Sequence, residues 1–573
     1  MAQVGAWIAK VATNVFFSVA VATNSVMIGN IAAWATQALI IGTPLYLAGK
    51  ALMPKMPDLN SMLSKGQMVR TPVGTRKIIY GQTRVGGNIL YMAEGTSGVA
   101  SNREHLYMVT AMAYGECEEI VKFYANNDEL TLTARSGYPT VFDVTTPSRY
   151  VVDSTGYRFT FYGNDMLGTT TQTLNAAITA NSELTSSDQF KGICCLQFVM
   201  AYDPEVFVSG IPNVTADIKG RKLYDIRDGS TSWSDNPALA IYDYLTSTSY
   251  GLGVPSSRID STSFAAAANL CDETVTLTSG TEKRYTINGV IDTANSVKAN
   301  LETMLSTLGG SLTYIDGKYK LYGSDWRAPT QTIGEDDLRG DIQLITKPSR
   351  RDQFNTVKGV FIGADNVTNG VAADYPAVID SAAVAADGET IVAELPLPLT
   401  NSVTMCERLA KIYLLKSRQP YTMTLPLKLT KFQLEPPDTV SVTLSSLGFK
   451  NKYFEVMDWR FGTTAGDNGE ASIGIDVTLR ETASSVYDWD SSEEIGYTET
   501  DAPTATKIYE VATPTFSLAA VSTKKAGDGT LIDGVEVSVT DDTDNRHITE
   551  YDIAWKKSTD ANFETISVLR DSN

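Results

Sequence analysis

Residues 210–255 decide the fold, reading GIPNVTADIKGRKLYDIRDG over 210–229 and WSDNPALAIYDYLTSTSYGLGVP over 233–255. The first half alternates charged and apolar residues between turn formers, the pattern of an extended segment. The second half opens with Asp235-Asn236-Pro237. Asn or Asp caps a helix by accepting its first backbone N–H groups, and Pro suits the first helical position because it has no N–H to leave unpaired. Ala238, Ile241, Tyr242 and Leu245 follow at helical spacing, and Gly251 lies past the end. A strand running through a turn into a short capped helix is therefore expected, and nothing in the block is catalytic.

Working downstream, Val297, Leu301, Met304, Leu305 and Leu308 mark an amphipathic helix stopped by Gly309-Gly310. It feeds Leu312–Leu321, where Asp316-Gly317 predicts a two-residue hairpin turn. Val403, Cys406, Ala410, Tyr413 and Leu414 mark a second amphipathic helix, and Val440, Val442 and Leu444 alternate with Ser441, Thr443 and Ser445 as a half-buried strand. Upstream, 70–87 is extended chain punctuated by glycines, 104–126 is strand-like around Gly115, 127–190 reads as an inserted β-rich lobe, and 193–202 is a strongly apolar strand. Gly86-Gly87 is followed by no Lys-Ser/Thr and sits in no dinucleotide fingerprint. The fold class is α+β, mainly β, built from several small β-barrel or β-sandwich domains with short helices and no βαβ rhythm.

A chain of 573 residues with 43% hydrophobic and 20% charged content is long enough for several ordinary globular domains. Its net charge of −19 argues against a nucleic-acid-binding surface, which needs a basic footprint, while leaving room for a channel through which DNA slides without sticking. Residues 481–573 hold 19 acidic and 7 basic side chains and so carry most of the excess, as suits an exposed, solubilising region. The cysteines at 117, 194, 195, 271 and 406 have neither a disulfide nor a zinc spacing and read as small buried hydrophobes of a protein assembled in a reducing cytoplasm. Histidine occurs only at 105 and 547, which leaves almost no material for histidine catalysis or metal binding. No cofactor, metal site or catalytic residue is expected.

Between Lys10 and Lys50 no residue is charged, and Val26–Leu52 is long enough to span a bilayer. Asn30, Thr36, Gln37, Gly42, Thr43 and Pro44 interrupt it. Three readings compete for this arm: burial between subunits of an oligomer, contact with a host membrane through residues 11–49, and a transmembrane anchor. At the other end, Glu493–Thr515 is acidic and Pro/Thr-rich and reads as a linker. Val535–Val539, Ile548–Trp555 and Phe563–Leu569 then alternate as in a fibronectin type III sandwich, of which residues 516–573 would form a part, the polypeptide continuing beyond Asn573. The expected divisions are an arm at 1–60, a hub β-domain at 61–210 with its lobe at 127–190, a central α+β domain at 211–345, a second hub β-domain at 346–492, a linker at 493–515 and the fibronectin-like domain at 516–573.

Over roughly 66–490 the chain resembles the central hub or tail-tip attachment proteins of long, non-contractile bacteriophage tails, the lambda J type. The resemblance lies in Arg70–Gly87, the 210–255 block, Gly317–Leu321 with Trp326, Glu335-Asp336-Asp337-Leu338, Arg351–Gly359, Asp374-Tyr375-Pro376, Asp387-Gly388 and Glu407-Arg408-Leu409-Ala410, in that order. The uncharged arm lies outside it, and Pro437-Asp438 stands where related chains tend to have Gly-Asp. The resemblance implies a homotrimer closing the distal end of the tail tube, with two similar β-barrel domains per subunit. Its partners would be the tube, other tail-tip proteins, the tape-measure protein and, through distal regions, a host receptor. DNA would pass without specific binding, and the site would be an interface. Two other classes compete. Asp225/Asp228, Glu335/Asp336/Asp337 or Glu493/Glu494 could pair as the two carboxylates of a polysaccharide or cell-wall hydrolase, and an arm in the membrane would make the chain a surface adhesin.

Overall fold

The computed structural model describes residues 66–497 apart from 72–73, 96–104, 127, 137, 148–149, 152–158, 163–165, 181, 202–206, 208–209, 348–352, 364–371 and 466–470, and then 515–525, 531–540, 550–559 and 562–569. The arm at 1–60, His547 and most of the 493–515 linker lie outside the described residues. The chain divides into two compact units, Met1–Tyr497 and Thr498–Asn573. The architecture is α+β and mainly β.

The N-terminal part of the first unit contributes β1 (Lys77–Tyr80), β2 (Gln82–Gly86), β3 (Asn88–Gly95), β4 (His105–Tyr114), β5 (Cys117–Ala125), β6 (Asp128–Arg135), β7 (Tyr138–Thr146), β8 (Phe159–Tyr162), helix α1 (Ala176–Ala180), β9 (Ile193–Ala201), β10 (Val214–Tyr224) and β11 (Thr231–Trp233). Ten of these strands form one sheet in the order β11-β10-β5-β6-β7-β8-β9-β4-β3, with β2 also on β10. Strands β6, β7 and β8, from the segment read as an inserted β-rich lobe, lie in the middle of this sheet, where β6 pairs with β5 and β8 with β9. Strand side chains alternate between faces, and at β4 and β9 both faces are covered. Met108, Cys194, Leu196 and Phe198 enter one core, while Tyr107, Val109, Cys195 and Val199 enter another with Ile178 of α1. Adjacent Cys194 and Cys195 are therefore both buried, on opposite sides.

A second layer is helical. It holds α2 (Pro237–Thr246), α3 (Ser261–Asp272), the small hairpin β12 (Thr274–Thr276) and β13 (Thr281–Lys283), β14 (Gly289–Asp292), α4 (Val297–Ser306), and the hairpin β15 (Ser311–Ile315) and β16 (Lys318–Tyr322). The Asn236 side chain accepts from the N–H groups of Ala238 and Leu239, with Pro237 starting the helix, as the sequence predicts. Asp316 and Gly317 sit at φ 53° and 77°, the left-handed pair that a two-residue hairpin turn requires. Gly251 is needed for a different reason: a Cβ there would lie 1.8 Å from the carbonyl oxygen of Tyr244, so the chain leaving α2 folds back on it without a side chain between.

The two layers share a wall. β1 pairs antiparallel with β14 across more than 200 residues of sequence, Ile79 opposite Val290 and Ile78 opposite Ile291. Ile78, Tyr80 and Ile291 enter the helical core; Ile79 and Val290 enter the core of the ten-stranded sheet. The run Lys77-Ile-Ile-Tyr80 is continuously apolar after its lysine because each face has its own core.

The remainder of the first unit supplies β17 (Gln331–Ile333), β18 (Gln343–Ile345), β19 (Thr356–Ile362), β20 (Ala372–Ile379), α5 (Ser381–Asp387), β21 (Val392–Glu394), α6 (Val403–Ser417), β22 (Thr422–Lys428), β23 (Thr439–Leu444), β24 (Phe449–Ala465) and β25 (Ala471–Glu481). β20-β19-β21 form a small sheet against α6, and α6 returns Met405, Cys406, Leu409, Ala410 and Leu414 to the helical core. The other strands form a six-stranded sheet in the order β17-β23-β24-β25-β22-β18. Residues 331–345 thus belong to the sheet of 422–481, β17 running parallel to β23. Val440, Val442 and Leu444 are buried as their alternation requires, with Phe454, Val456, Ile475, Val477 and Leu479.

The second unit shows two antiparallel hairpins, β26 (Thr515–Lys525) with β27 (Leu531–Thr540) and β28 (Glu550–Trp555) with β29 (Glu564–Leu569). β27, β28 and β29 coincide with the three alternating segments read from the sequence; β26 is not among them.

Candidate functional site

The two halves of the 210–255 block are tied together by one half-buried polar cluster. Arg221 on β10 and Asp243 on α2 approach to 3.6 Å, and the Arg221 guanidinium lies 5.0 Å from the centre of the Tyr250 ring. The hydroxyls of Tyr80 and Tyr250 donate to the same Asp243 Oδ2 at 2.7 and 2.6 Å. Burial, and after it the Asp243 carboxylate, push both phenols well above their ordinary range, so they remain donors. Around it Asn236 Nδ2 donates to the carbonyl of Ala268, and Asn300 Nδ2 to the Tyr244 hydroxyl. This is an anchor between strand, helix and turn, and its chemistry is structural.

The acid clusters singled out in the sequence lie in separate places. Asp225 chelates Arg227 at 2.7 Å, and Asp228 accepts from the N–H of Ser230 at 2.8 Å. Asp337 closes a 3-10 turn by accepting from the N–H of Gly334, while Glu335 accepts from the N–H of Ser446. Glu493 pairs with Lys411 at 2.6 Å and Glu494 accepts from the N–H of Thr278 at 2.7 Å. These six carboxylates are each engaged by a backbone N–H or an ion pair, and Asp336 lies in the same 3-10 turn as Glu335 and Asp337. No group of three or more His, Cys, Asp or Glu side chains among the described residues could hold a metal ion. All five cysteines are unbridged and buried. Burial pushes the Cys195 and Cys271 thiols up to about 12, far from the thiolate that nucleophilic chemistry uses.

Two features have no counterpart in the sequence reading. The first is the end of the first unit, where residues 488–497 run across α6. Lys411 donates to the carbonyl of Asp488 as well as to Glu493, Thr278 Oγ1 donates to the carbonyl of Ser491, and Tyr497 meets Phe361 edge-on. Beneath them Glu407, 1% exposed, accepts from the N–H of Ile495. Burial, with Glu494 nearby, raises its carboxyl to about 7. Lys411 and Glu407 are one helical turn apart on α6, which is the signal that could have drawn attention to this contact. The second feature is a set of exposed apolar side chains at one end of the six-stranded sheet, signalled by Trp459-Arg-Phe461 and Ile473-Gly-Ile475 flanking a Gly/Thr-rich stretch of sequence. Among the described residues, no helix is long and apolar enough to cross a membrane.

No protein-family model matches the sequence. One curated protein is similar: baseplate hub protein pb3 of Escherichia phage T5, 23% identical over 273 residues, covering 43% of this chain and 28% of that protein. The aligned region therefore spans little more than a quarter of the relative. Among solved structures, a chain of the virion of a native gene transfer agent particle is similar at a TM-score of 0.47 and 15% identity, over 80% of this chain and 97% of that one. That level of likeness transfers nothing further.

Proposed function

We propose that this chain is a structural hub of a long-tailed bacteriophage, located in the virion at the distal tip of the tail. The observation that carries the reading is the similarity to a baseplate hub protein. It stands beside the ordered motifs of the tail-tip hub resemblance, which run through the described first unit. In this reading three copies close the tail tube, contact its last ring, other tail-tip proteins and the tape-measure protein, and release the tape measure and DNA when distal regions engage a host receptor. The expected organisation, from arm to hub domains to a fibronectin-like domain, belongs to the same proposal. Net charge of −19 suits a passage that DNA crosses without adhering. The chain acts through interfaces and carries no catalysis.

The testing experiment is native mass with negative-stain imaging of the purified chain, followed by addition of isolated tail tubes. A threefold mass and a ring or cone with an axial opening that caps the tubes support the hub. A monomer that does not bind tubes overturns it. Robust release of reducing sugar from host cell walls, abolished by Glu335→Gln, would replace it with the hydrolase.

A further inference from the structure

The first unit ends in a strap, residues 488–497, laid over a charged stretch of α6. Its regular structure is one 3-10 turn at Ser491–Glu493, where Asp490 accepts from the N–H of Ser492 and Glu493 from the N–H of Asp490. Polar contacts hold it down. Lys411 of α6 donates to Glu493 at 2.6 Å and to the Asp488 carbonyl at 2.8 Å. Thr278, between β12 and β13, donates its N–H to Glu494 at 2.7 Å and its hydroxyl to the Ser491 carbonyl at 3.0 Å. Tyr497 meets Phe361 edge-on, and the Arg408 guanidinium lies 5.7 Å from the centre of the Trp489 ring. The fit is incomplete. Oε1 of Glu407 and Nε1 of Trp489 are both buried without a partner among the described residues. Unmet buried polar groups cost stability, so this strap is easier to detach than the cores beneath it.

Glu407 is the contact that can change state. Its Oε2 accepts from the N–H of Ile495 at 3.3 Å, and a buried ionised carboxylate needs either more donors than that or a free cation beside it. The neighbouring charges supply neither. On α6, Arg408 is taken up by Glu282 of β13 at 2.5 Å and by the Arg284 carbonyl, and Lys411 by Glu493. Glu282 is held in place by Ser402 and Thr404 as well. The strap itself brings Glu493 and Glu494. With both cations paired, what remains around Glu407 is negative charge. Burial above all, then Glu494 and Glu282, raises its carboxyl to about 7 against the Ile495 hydrogen bond and Arg408, which lower it. From this arrangement we infer that residues 488–497 are a releasable strap, latched on α6 while Glu407 carries its proton and let go when the proton is lost. Release uncovers Glu407 and Trp489 and turns the exit of the chain from the first unit from fixed into free. The sign follows from the two states: the latched one binds the proton more tightly, so the latch is full below about pH 4.5 and weakens as pH rises through 7. The inference does not depend on the hub reading.

The test is limited chymotrypsin digestion of the full chain between about pH 5.5 and 8.5. Cleavage rates after Trp489 and Tyr497 are divided by those of a synthetic peptide of residues 484–500 at the same pH. Proteolysis follows the open population when closing is fast, so this ratio reports the released strap. The ratio is expected to rise about tenfold or more across the range while the rest of the first unit stays uncut. Glu407→Gln, which has no proton to lose, should hold the low ratio throughout. A ratio independent of pH, an equal rise in Glu407→Gln, or cutting throughout the first unit in step with the strap overturns the proposal. Lys411→Met gives a second reading that does not rely on that variant: it removes a strap contact and leaves Glu407 in place. It should raise the ratio severalfold at every pH with the wild-type slope, and an unchanged ratio or a lost slope also overturns the proposal.

Discussion

The β1–β14 ribbon and the outer end of the β24–β25 hairpin are written in the same residues and meet opposite fates. Both are antiparallel pairs with apolar side chains on a continuous face. In the ribbon, Ile78, Ile79 and Val290 are at most 4% exposed because a separate core receives each side. In the hairpin, Phe461 and Ile473 lie on the face of a buried stripe and are still more than 60% exposed. An apolar strand is thus a demand for cover, and sequence alone does not say whether the cover comes from the same layer, another layer or another segment.

The largest effect should come from charging the ribbon. Ile79→Asp, placed between two cores, is expected to prevent folding of the first unit, and even Ile79→Ala should cost about 2–5 kcal/mol in urea unfolding. A cost below about 1 kcal/mol for the alanine would mean that the shared wall is not load sharing. Next comes the polar anchor beside it: Asp243→Ala strands Arg221 and two tyrosine hydroxyls, at about 1–3 kcal/mol. Restoring stability with a second change, Arg221→Met, would identify the unpaired guanidinium as the source of that cost.

A smaller, pH-dependent effect is expected at Glu407, which is buried and accepts from the N–H of Ile495 in the 488–497 segment. Its folded carboxyl is raised from 4.5 to about 7, so the folded state holds a proton that the unfolded state has already released. Stability from this group is full below about pH 4.5 and declines as pH rises towards 7. Glu407→Gln should flatten that decline between pH 5 and 8, read as amide-exchange protection of 491–497 at each pH. An identical slope in the variant would place the titration elsewhere. The smallest effect belongs to the hairpin end, where Phe461→Ser should change the stability of the first unit by less than about 0.5 kcal/mol. A larger loss would show that the face is already covered by something rigid.

What the sequence made legible is local chemistry. Asn236-Pro237 caps its helix and Asp316-Gly317 turns its hairpin because those residues satisfy nearby backbone groups by themselves. The alternation at 440–444 likewise needs only its neighbours. What stayed hidden depends on distant pairing: β1 finds β14 more than 200 residues away, β6 to β8 are inserted into the middle of a sheet, and residues 331–345 pair with 422–442. The acid pairs looked alike as letters, yet each closes a different turn or ion pair. Expecting an interface required only the resemblance; locating an uncovered face required knowing where the core stops.

Cys194 and Cys195 have a practical consequence. Neighbours in the chain, they look into different interiors, one sharing its space with Phe198 and the other with Val199 and Ile178. A thiol reagent applied during partial denaturation would therefore time the loosening of each side of the ten-stranded sheet separately, through two probes one peptide bond apart. If both react together, the sheet gives way as a single cooperative block; if one leads, the protein comes apart layer by layer, and the leading thiol names the layer.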